Sequence, residues 1–269
     1  MRTILITGAT DGIGKATALA LLQQGHLVIV HGRTTTKARV AADELHAATG
    51  SEYVDYAAGD FSRLSDVHAL ANEVIERHPG LDTLINNAGI WMNTRELSAD
   101  GSELTMAVNH LAPYLLTRLL LPALKLSAPA RIVHVSSTVH TRGKIDFDDL
   151  NSERAYSAYG AYAASKLANV LFSNALARRL APAGVTSNAL HPGVITTKLL
   201  ASGFNMAGAE TARGAQTSVY LASAPEVAGL TGRYFDDKRE KLASEAARDE
   251  ALQERLWRAS AEMVGLLDE

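Results

Sequence analysis

Six short apolar runs alternate with longer amphipathic stretches along most of this chain. The runs are rich in Val, Ile and Leu and are bounded by Gly, Asp or Asn, which is typical of strands buried in a parallel sheet. Alternation of this kind predicts an α/β fold, with a parallel sheet covered by helices on both faces. The predicted strands are 4–7, 27–30, 53–57, 83–86, 131–136 and 185–190, and the predicted helices lie near 13–24, 36–48, 64–77, 102–126 and 160–181.

The length and composition of the chain fit one globular domain. Its 269 residues are 47% hydrophobic and 20% charged, a balance that can bury a full core, and α/β sheets of this size commonly form one domain. A net charge of −3 provides no basic field for nucleic acid or anionic lipid. The absence of cysteine excludes disulfides and thiolate chemistry. None of the nine histidines has the spacing of a metal-binding pair, so we predict no metal site.

The first predicted strand begins almost at the first residue, in MRTILITG. This leaves no room for a signal or transit peptide ahead of it. The most apolar stretch, 111–126, is interrupted by two prolines, an arginine and a lysine, and it is too short to span a bilayer. We therefore expect a cytoplasmic protein with no membrane partner.

Three regions depart from the strand–helix rhythm. The stretches 138–155 and 192–208 follow the fifth and sixth strands and are expected to form loops at the carboxyl ends of strands, where open α/β sheets bind ligands. The tail, 236–269, is charged and helix-prone. We interpret it as a helical extension that caps the same domain, so that 1–269 is one domain.

Three glycines, Gly8, Gly12 and Gly14, follow the first strand and open the first helix. Gly8 permits a tight turn, Gly12 lets the backbone approach a pyrophosphate, and Gly14 allows close packing of helix on strand. The helix N-terminus offers N–H groups and the positive end of its dipole to phosphates. Glycines alone would also fit an ordinary turn, but in this position they predict a dinucleotide site in a Rossmann-type, doubly wound parallel sheet.

The end of the second strand, VHGR at 30–33, bears on the choice of nicotinamide cofactor. An NAD site normally places Asp or Glu here to bind the ribose hydroxyls. Gly32 takes that place, and the guanidinium of Arg33 suits the 2′-phosphate of NADP. Lys15 and Lys37 would add positive charge. We predict NADP, with NAD as the alternative if Arg33 is an ordinary surface arginine.

A tyrosine and a lysine four residues apart, Tyr162 and Lys166, lie on one face of a predicted helix. Hydride transfer to a carbonyl leaves an alkoxide that needs a proton, and a phenol can supply it if its pKa, ordinarily near ~10, is lowered. A lysine ammonium at roughly 5 Å in an effective dielectric near ~20 favours the phenolate by about 3 kcal/mol, or around two pKa units. Tyr156 and Tyr159 have no lysine four residues on, so Tyr162 is selected.

The order of these motifs resembles the short-chain dehydrogenase/reductase family: G-x-x-x-G-x-G, then NNAG at 86–89, a serine pair, and Tyr-x-x-x-Lys. The likeness covers nearly the whole chain and looks closest to the retinol-dehydrogenase-like branch, on TGATDGIGKATA, AVNHLAPYLLT, RIVHVSS, GKIDFDDL, YAASKLANVLFSNALARRL and HPGVITT. It implies that the catalytic residues are Asn109, Ser137, Tyr162 and Lys166. Asn109 would hold a water of a proton relay, the alternative being a structural polar residue that satisfies a neighbouring carbonyl group. Ser136 is the alternative to Ser137.

The same resemblance implies a cofactor site. Its residues would be Gly8, Thr10, Asp11, Gly12, Ile13, Gly14, Arg33, Asp60, Phe61, Asn87, Ala88, Gly89, Tyr162, Lys166, Pro192, Gly193, Val194 and Thr197. His191, which begins the HPG turn, is interpreted as a structural turn residue. Family members often pair through the helix at 160–181, so a homo-dimer or homo-tetramer is one expectation. The alternative is that its leucines serve only the core of one chain.

Three variable regions, 90–97, 138–155 and 192–208, are expected to line the substrate pocket. Their apolar side chains suit a hydrophobic carbonyl or alcohol, although some could simply pack the loops. These side chains are Trp91, Met92, Leu199, Leu200, Phe204 and Met206. The resulting hypothesis is an NADP(H)-dependent oxidoreductase. The competing class is a cofactor-binding sensor or scaffold without turnover, which the presence of all four catalytic residue types disfavours.

Overall fold

The protein is described by a computed structural model that covers residues 1–204 and 208–266. Within these ranges eight strands form one sheet, and helices cover both of its faces. The strands are β1 (Thr3–Ile6), β2 (Leu27–Gly32), β3 (Val54–Ala58), β4 (Thr83–Asn86), β5 (Ala130–Val135), β6 (Val185–His191), β7 (Tyr234–Asp236) and β8 (Arg239–Lys241). The helices are α1 (Gly12–Gln23), α2 (Thr35–Thr49), α3 (Leu64–Arg77), α4 (Leu104–Met106), α5 (Ala112–Leu126), α6 (Ala158–Leu180), α7 (Lys198–Phe204), α8 (Thr211–Ser223), α9 (Glu245–Arg248) and α10 (Glu250–Met263).

The strand order is β3-β2-β1-β4-β5-β6-β7-β8. Neighbouring strands are parallel from β3 to β7, and only β8 runs antiparallel to its neighbour. The chain moves outward from β1 to β3 and then crosses to β4 on the other side of β1. This reversal opens a crevice at the carboxyl ends of β1 and β4, where doubly wound sheets bind ligands. The predicted Rossmann-type, doubly wound sheet is therefore confirmed.

Two apolar layers hold the helices on the sheet. One core lies between the sheet and α3, α5 and α6, and the other lies between the sheet and α1, α2 and α8. Since both faces are covered, the central strands are buried along most of their length, which explains their continuous apolar runs.

The C-terminal helices α9 and α10 pack on α6. Trp257 of α10 is buried, with its ring edge-on to Tyr114 at a centroid distance of 5.3 Å. The guanidinium carbon of Arg179 lies 4.0 Å from the centre of the Trp257 ring. The apolar side of α6 is therefore used within the chain. No helix in the described part of the chain is both long enough and apolar enough to cross a membrane.

The structure departs from the sequence prediction in the C-terminal third. The prediction of a helical tail is wrong at 239–241, because β7 and β8 form a hairpin there. The turn of this hairpin consists of Asp237 and Lys238, whose φ angles are +48° and +60°. Left-handed residues are what a two-residue hairpin turn requires, but the glycine that usually marks such a turn is missing. The stretch 192–208 is also not wholly a loop, since it contains α7, and α8 was not predicted.

Candidate active site

A cavity of about 730 Å³ opens at the carboxyl ends of the central strands. Every residue that the sequence predicts for the cofactor site lines this cavity. Three of the four predicted catalytic residues, Ser137, Tyr162 and Lys166, line it too. The fold thus brings together segments from six different strand ends, while the fourth residue, Asn109, is fully buried outside the cavity lining.

The turn after β1 is held by the segment after β4. The Oγ1 atom of Thr7 accepts hydrogen bonds from the backbone N–H groups of Asn87 (2.9 Å) and Ala88 (3.0 Å). The Asn87 amide donates in return to the carbonyl oxygens of Thr7 (2.8 Å) and Gly8 (3.1 Å). Gly8 has φ +63°, and a Cβ there would lie 2.9 Å from the Cα of Ala88. Thr7 was not among the predicted site residues, although its place between strand and glycine could have indicated it.

The start of α1 packs directly on this turn. A Cβ at Gly14 would lie 2.3 Å from the carbonyl oxygen of Gly8 and 2.5 Å from the amide nitrogen of Asn87, so only glycine fits. Asp11 caps α1 by accepting the N–H of Gly12 at 2.8 Å, and it pairs with Lys198 at 2.6 Å. The Lys198 ammonium and the Gly12 N–H lower the pKa of Asp11 below its usual value. A glycine cradle at a helix N-terminus fits the pyrophosphate of a dinucleotide.

The end of β2 is tightly packed around Gly32. A Cβ at Gly32 would lie 2.6 Å from the Cγ2 of Thr10 and 3.1 Å from the backbone nitrogen of Ala38. Arg33 lines the cavity and is exposed. Of the two lysines considered from sequence, Lys15 pairs with Glu44 and Lys37 lies on the exposed side of α2.

The tyrosine and the lysine lie side by side on α6. Tyr162 is 6% exposed and Lys166 3%. The Lys166 Nζ donates to the carbonyl oxygen of Val135 at 3.0 Å and lies 5.5 Å from the centre of the Tyr162 ring. Burial raises the pKa of Tyr162 well above its usual value and lowers the pKa of Lys166 to about 8. The lowered phenol pKa expected from sequence is therefore not found for the chain by itself, because burial disfavours the charged phenolate.

The two serines at the end of β5 have different partners. The Ser136 hydroxyl donates to the carbonyl oxygen of Lys166 at 2.7 Å and so ties β5 to α6. The Ser137 hydroxyl oxygen accepts the N–H of Val139 at 3.3 Å, a bond that leaves its proton for another acceptor. This difference favours Ser137 over Ser136 as the reactive serine. His191 accepts the N–H of Thr138 through Nδ1 at 3.3 Å, a contact that fits a structural role.

Asn109 lies in a π-helical segment, Ala107–Leu111, that joins α4 to α5. Its Oδ1 accepts the N–H of Ile90 at 2.7 Å, and its Nδ2 donates to the Ile90 carbonyl oxygen and the Ser165 hydroxyl, both at 3.0 Å. The amide therefore links the segment after β4 to α6. A Cβ at Gly89 would lie 3.4 Å from Asn109 Oδ1 and 3.5 Å from Lys166 Nζ, so Gly89 leaves space between them.

Apolar side chains form part of the cavity lining. Met92, Leu199 and Leu200 are among them, as predicted, whereas Met206 and the side chain of Phe204 lie outside the described residues. Ile90 and Val139, which belong to the predicted regions 90–97 and 138–155, line it too, whereas sequence reasoning did not find Leu104 and Val108.

Trp91 is not part of the lining but packs on Tyr162, with ring centroids 5.3 Å apart. On its other side it meets α7, because a Cβ at Gly203 would lie 2.6 Å from the indole.

Comparisons with known proteins agree with this geometry. The family model described as short chain dehydrogenase matches residues 2–208. Human retinol dehydrogenase 14 is 44% identical over 292 aligned residues, which cover 99% of this chain and 87% of the human protein. These findings confirm the resemblance to the short-chain dehydrogenases and to their retinol-dehydrogenase-like branch.

Solved structures show the same fold. A putative uncharacterized protein from Mycobacterium paratuberculosis is 32% identical with a TM-score of 0.82, over 99% of this chain and 94% of that one. A putative short chain dehydrogenase from Shigella flexneri, solved as a complex with NADP, is 27% identical with a TM-score of 0.73, over 88% of this chain and 97% of that one.

Proposed function

The chain belongs to the short-chain dehydrogenase family of NAD(P)-dependent oxidoreductases, and we propose that it transfers a hydride between NADP(H) and a lipophilic carbonyl or alcohol, with Tyr162 as the acid/base. The observation that carries this proposal is that Ser137, Tyr162 and Lys166 line the same cavity as the glycine turn at 8–14. One cleft therefore offers both a dinucleotide cradle and groups suited to proton transfer.

The cofactor would lie with its pyrophosphate at the N-terminus of α1, held by Gly12 and Ile13, and with its adenosine towards Arg33, Asp60 and Phe61. All of these residues line the cavity. NADP(H) supplies or accepts the hydride when it is bound there.

The proton would be handled by Tyr162 and Ser137. In the reducing direction Tyr162 donates its phenolic proton to the substrate oxygen as that oxygen gains negative charge. The Ser137 hydroxyl donates a hydrogen bond to the same oxygen and keeps it near the phenol. In the oxidising direction Tyr162 takes the proton from the alcohol instead.

Lys166 and Asn109 would support the phenolate that this transfer leaves. A charged Lys166 attracts the phenolate through a dry environment, in which Coulomb attraction is stronger than in water. The pKa of about 8 for Lys166 means that its buried ammonium can also release a proton near neutral pH. Asn109 would orient a water that returns a proton to Lys166, in the space that Gly89 leaves between the two side chains.

The preference for NADP rests on two features of the β2 end. Gly32 carries no carboxylate for the NAD ribose, and a Cβ at this position would lie only 2.6 Å from the Cγ2 of Thr10. Arg33 offers a guanidinium that can pair with the 2′-phosphate.

The preference for a lipophilic substrate rests on the apolar residues around the catalytic end of the cavity. Ile90, Met92, Leu104, Val108, Val139, Leu199 and Leu200 line it. Burying an apolar substrate there removes apolar surface from water on both sides, at about 25 cal/mol per Å². The likeness to human retinol dehydrogenase 14, whose name denotes an apolar alcohol, supports this class.

The test is a comparison of the wild type with Tyr162→Phe, which removes only the hydroxyl. Consumption of NADPH and of NADH would be followed by absorbance with a panel of hydrophobic aldehydes and ketones. We expect turnover with a preference for NADPH, reduced at least about 100-fold in Tyr162→Phe, with NADPH binding retained. Tyr159→Phe, one helical turn earlier, is the matched control and should keep full activity.

Two outcomes would contradict the proposal. Activity confined to small hydrophilic sugars would exclude the lipophilic substrate class. NADPH binding without turnover across the panel would favour the alternative of a sensor or scaffold.

Three further expectations stay predictions: that 1–269 is one domain, that the location is cytoplasmic, and that two or four chains associate through α6. The packing of α9 and α10 on α6 supports the alternative in which its apolar side serves one chain.

A further inference from the structure

His31, near the end of β2, connects two turns that border the cofactor cleft. Its imidazole is 3% exposed. Its Nδ1 accepts the backbone N–H of Gly8 at 3.1 Å, and its Nε2 lies 3.0 Å from the carbonyl oxygen of Gly59. Gly8 begins the glycine turn after β1, and Gly59 precedes Asp60 in the turn after β3. One side chain therefore bridges the turn proposed for the phosphates and the turn proposed for the adenosine.

The two contacts define the protonation state of the ring. A backbone N–H can only donate a hydrogen bond and a carbonyl oxygen can only accept one. The Nδ1 atom must therefore be unprotonated, and the Nε2 atom must carry the proton. Burial lowers the pKa of His31 to about 4, and the nearby Asp60 carboxylate opposes this only in part. The ring is thus neutral at physiological pH, in the one tautomer that satisfies both backbone groups.

The ring also forms part of the cleft wall. His31, Asp60 and Phe61 all line the cavity, and the His31 and Phe61 rings stack with centroids 4.6 Å apart and planes 24° apart. Because stacking fixes the ring plane, both hydrogen bonds keep their direction. A substitution at His31 would therefore alter contacts of Gly8, Gly59 and Phe61 together.

We propose that His31 is a positioning residue for the cofactor, which sets the spacing between the Gly8 turn and the Gly59 turn and thereby the affinity for the adenosine-phosphate half of NADP(H). This rests on the proposed cofactor site. The two hydrogen bonds of His31 lead to the Gly8 and Gly59 turns, so we expect its effect to fall on cofactor binding and not on the proton transfer.

Three substitutions separate the two hydrogen bonds. In His31→Asn the side-chain oxygen can take the place of Nδ1 and accept from Gly8, while the contact with Gly59 is lost. In His31→Gln the longer amide can donate to Gly59, while the acceptor for Gly8 is lost. His31→Phe keeps a ring against Phe61 but removes both bonds and leaves the Gly8 N–H unpaired.

The measurement is the dissociation constant of the 269-residue chain for NADPH and for adenosine 2′,5′-bisphosphate, by calorimetry. For His31→Phe we expect both constants to rise about tenfold, which corresponds to ~1.4 kcal/mol. His31→Asn and His31→Gln should fall between it and the wild type. The KM for NADPH should rise with the dissociation constant, while kcat at saturating cofactor stays within about twofold of wild type.

A purely structural histidine would behave differently. In that case His31→Phe would unfold at a lower temperature without cofactor, yet bind both ligands as the wild type does, and this result would overturn the proposal. If His31→Phe fails to fold, the variants His31→Asn and His31→Gln provide the test. An NADPH affinity equal to that of the wild type in both variants contradicts the proposal, and a weaker NADPH affinity in either variant supports it. A wild type that binds neither NADPH nor NADH would instead refute the cofactor site itself, and this inference with it.

Discussion

The ammonium nitrogen of Lys166 lies 5.5 Å from the centre of the Tyr162 ring, in a place where burial opposes the charge of both groups. The pKa of the phenol is raised and that of the ammonium is lowered to about 8. Desolvation raises the pKa of an acid such as tyrosine and lowers the pKa of a base such as lysine, because in both cases it disfavours the charged form. In the cofactor-free chain Lys166 is therefore the member of the pair that titrates closest to neutral pH.

This pKa predicts how the stability of the cofactor-free chain depends on pH. The folded-state value of about 8 lies below the 10.5 of an unfolded lysine, so between these values the unfolded chain binds more protons. The free energy of unfolding should then rise with pH from about 8 towards about 10. Urea unfolding at several pH values measures the slope.

Lys166→Met should flatten this slope, whereas Lys125→Met, at an exposed position near the end of α5, should not. An equal slope in Lys166→Met and the wild type would show that Lys166 is not its source.

The two serines after β5 predict opposite phenotypes for two matched variants. Ser137→Ala removes the hydroxyl proposed to bind the substrate oxygen, so kcat should fall about 100-fold with little change in stability. Ser136→Ala removes the bond to the Lys166 carbonyl oxygen, so the free energy of unfolding should fall by about 1 kcal/mol. Steady-state kinetics and urea unfolding of both variants test this. A larger loss of kcat in Ser136→Ala would reverse the assignment.

Arg33 predicts a cofactor-selective effect. Arg33→Gln should raise the dissociation constant for NADPH at least about tenfold and leave that for NADH nearly unchanged, because only NADPH carries the 2′-phosphate that a guanidinium can pair with. Arg39→Gln removes the same charge from an exposed position of α2 and is the control. If Arg33→Gln raises the dissociation constants for NADPH and NADH by the same factor, Arg33 does not bind the 2′-phosphate.

The contact between Gly203 and Trp91 predicts a substrate effect. A side chain at Gly203 overlaps the indole, so Gly203→Val should displace α7, which carries Leu199 and Leu200 into the cavity lining. We expect KM for a hydrophobic aldehyde to rise about tenfold, as overpacking of ~1–3 kcal/mol would produce, with NADPH affinity within about threefold of wild type. Ser202→Val, at the exposed neighbouring position, should leave KM unchanged. An unchanged KM in Gly203→Val would show that α7 does not shape the pocket.

The first six strands along the chain and the glycine turn could be predicted from the sequence because their signals are local. A continuous apolar run is required of a strand buried on both faces, and the predicted 83–86 coincides with β4. The step from Tyr162 to Lys166 places both on one face of α6 whatever surrounds them. The β7–β8 hairpin was missed because Asp237 and Lys238 adopt the left-handed conformation without glycine.

What the sequence by itself determined is the order of the first six strands and of the helices between them, together with the glycine turn after the first strand, since periodicity and spacing along the chain are enough for these. The predicted catalytic residues came from the resemblance to a known family and stay a prediction. Only the tertiary structure decided which side chains and backbone groups from distant parts of the chain contact one another. His31 contacts Gly8 and Gly59, which are 23 and 28 positions away, and Ser136 differs from Ser137 only in what packs against it. The direction of the Tyr162 pKa was decided in the same way, because desolvation depends on every atom around a side chain and no local pattern records them.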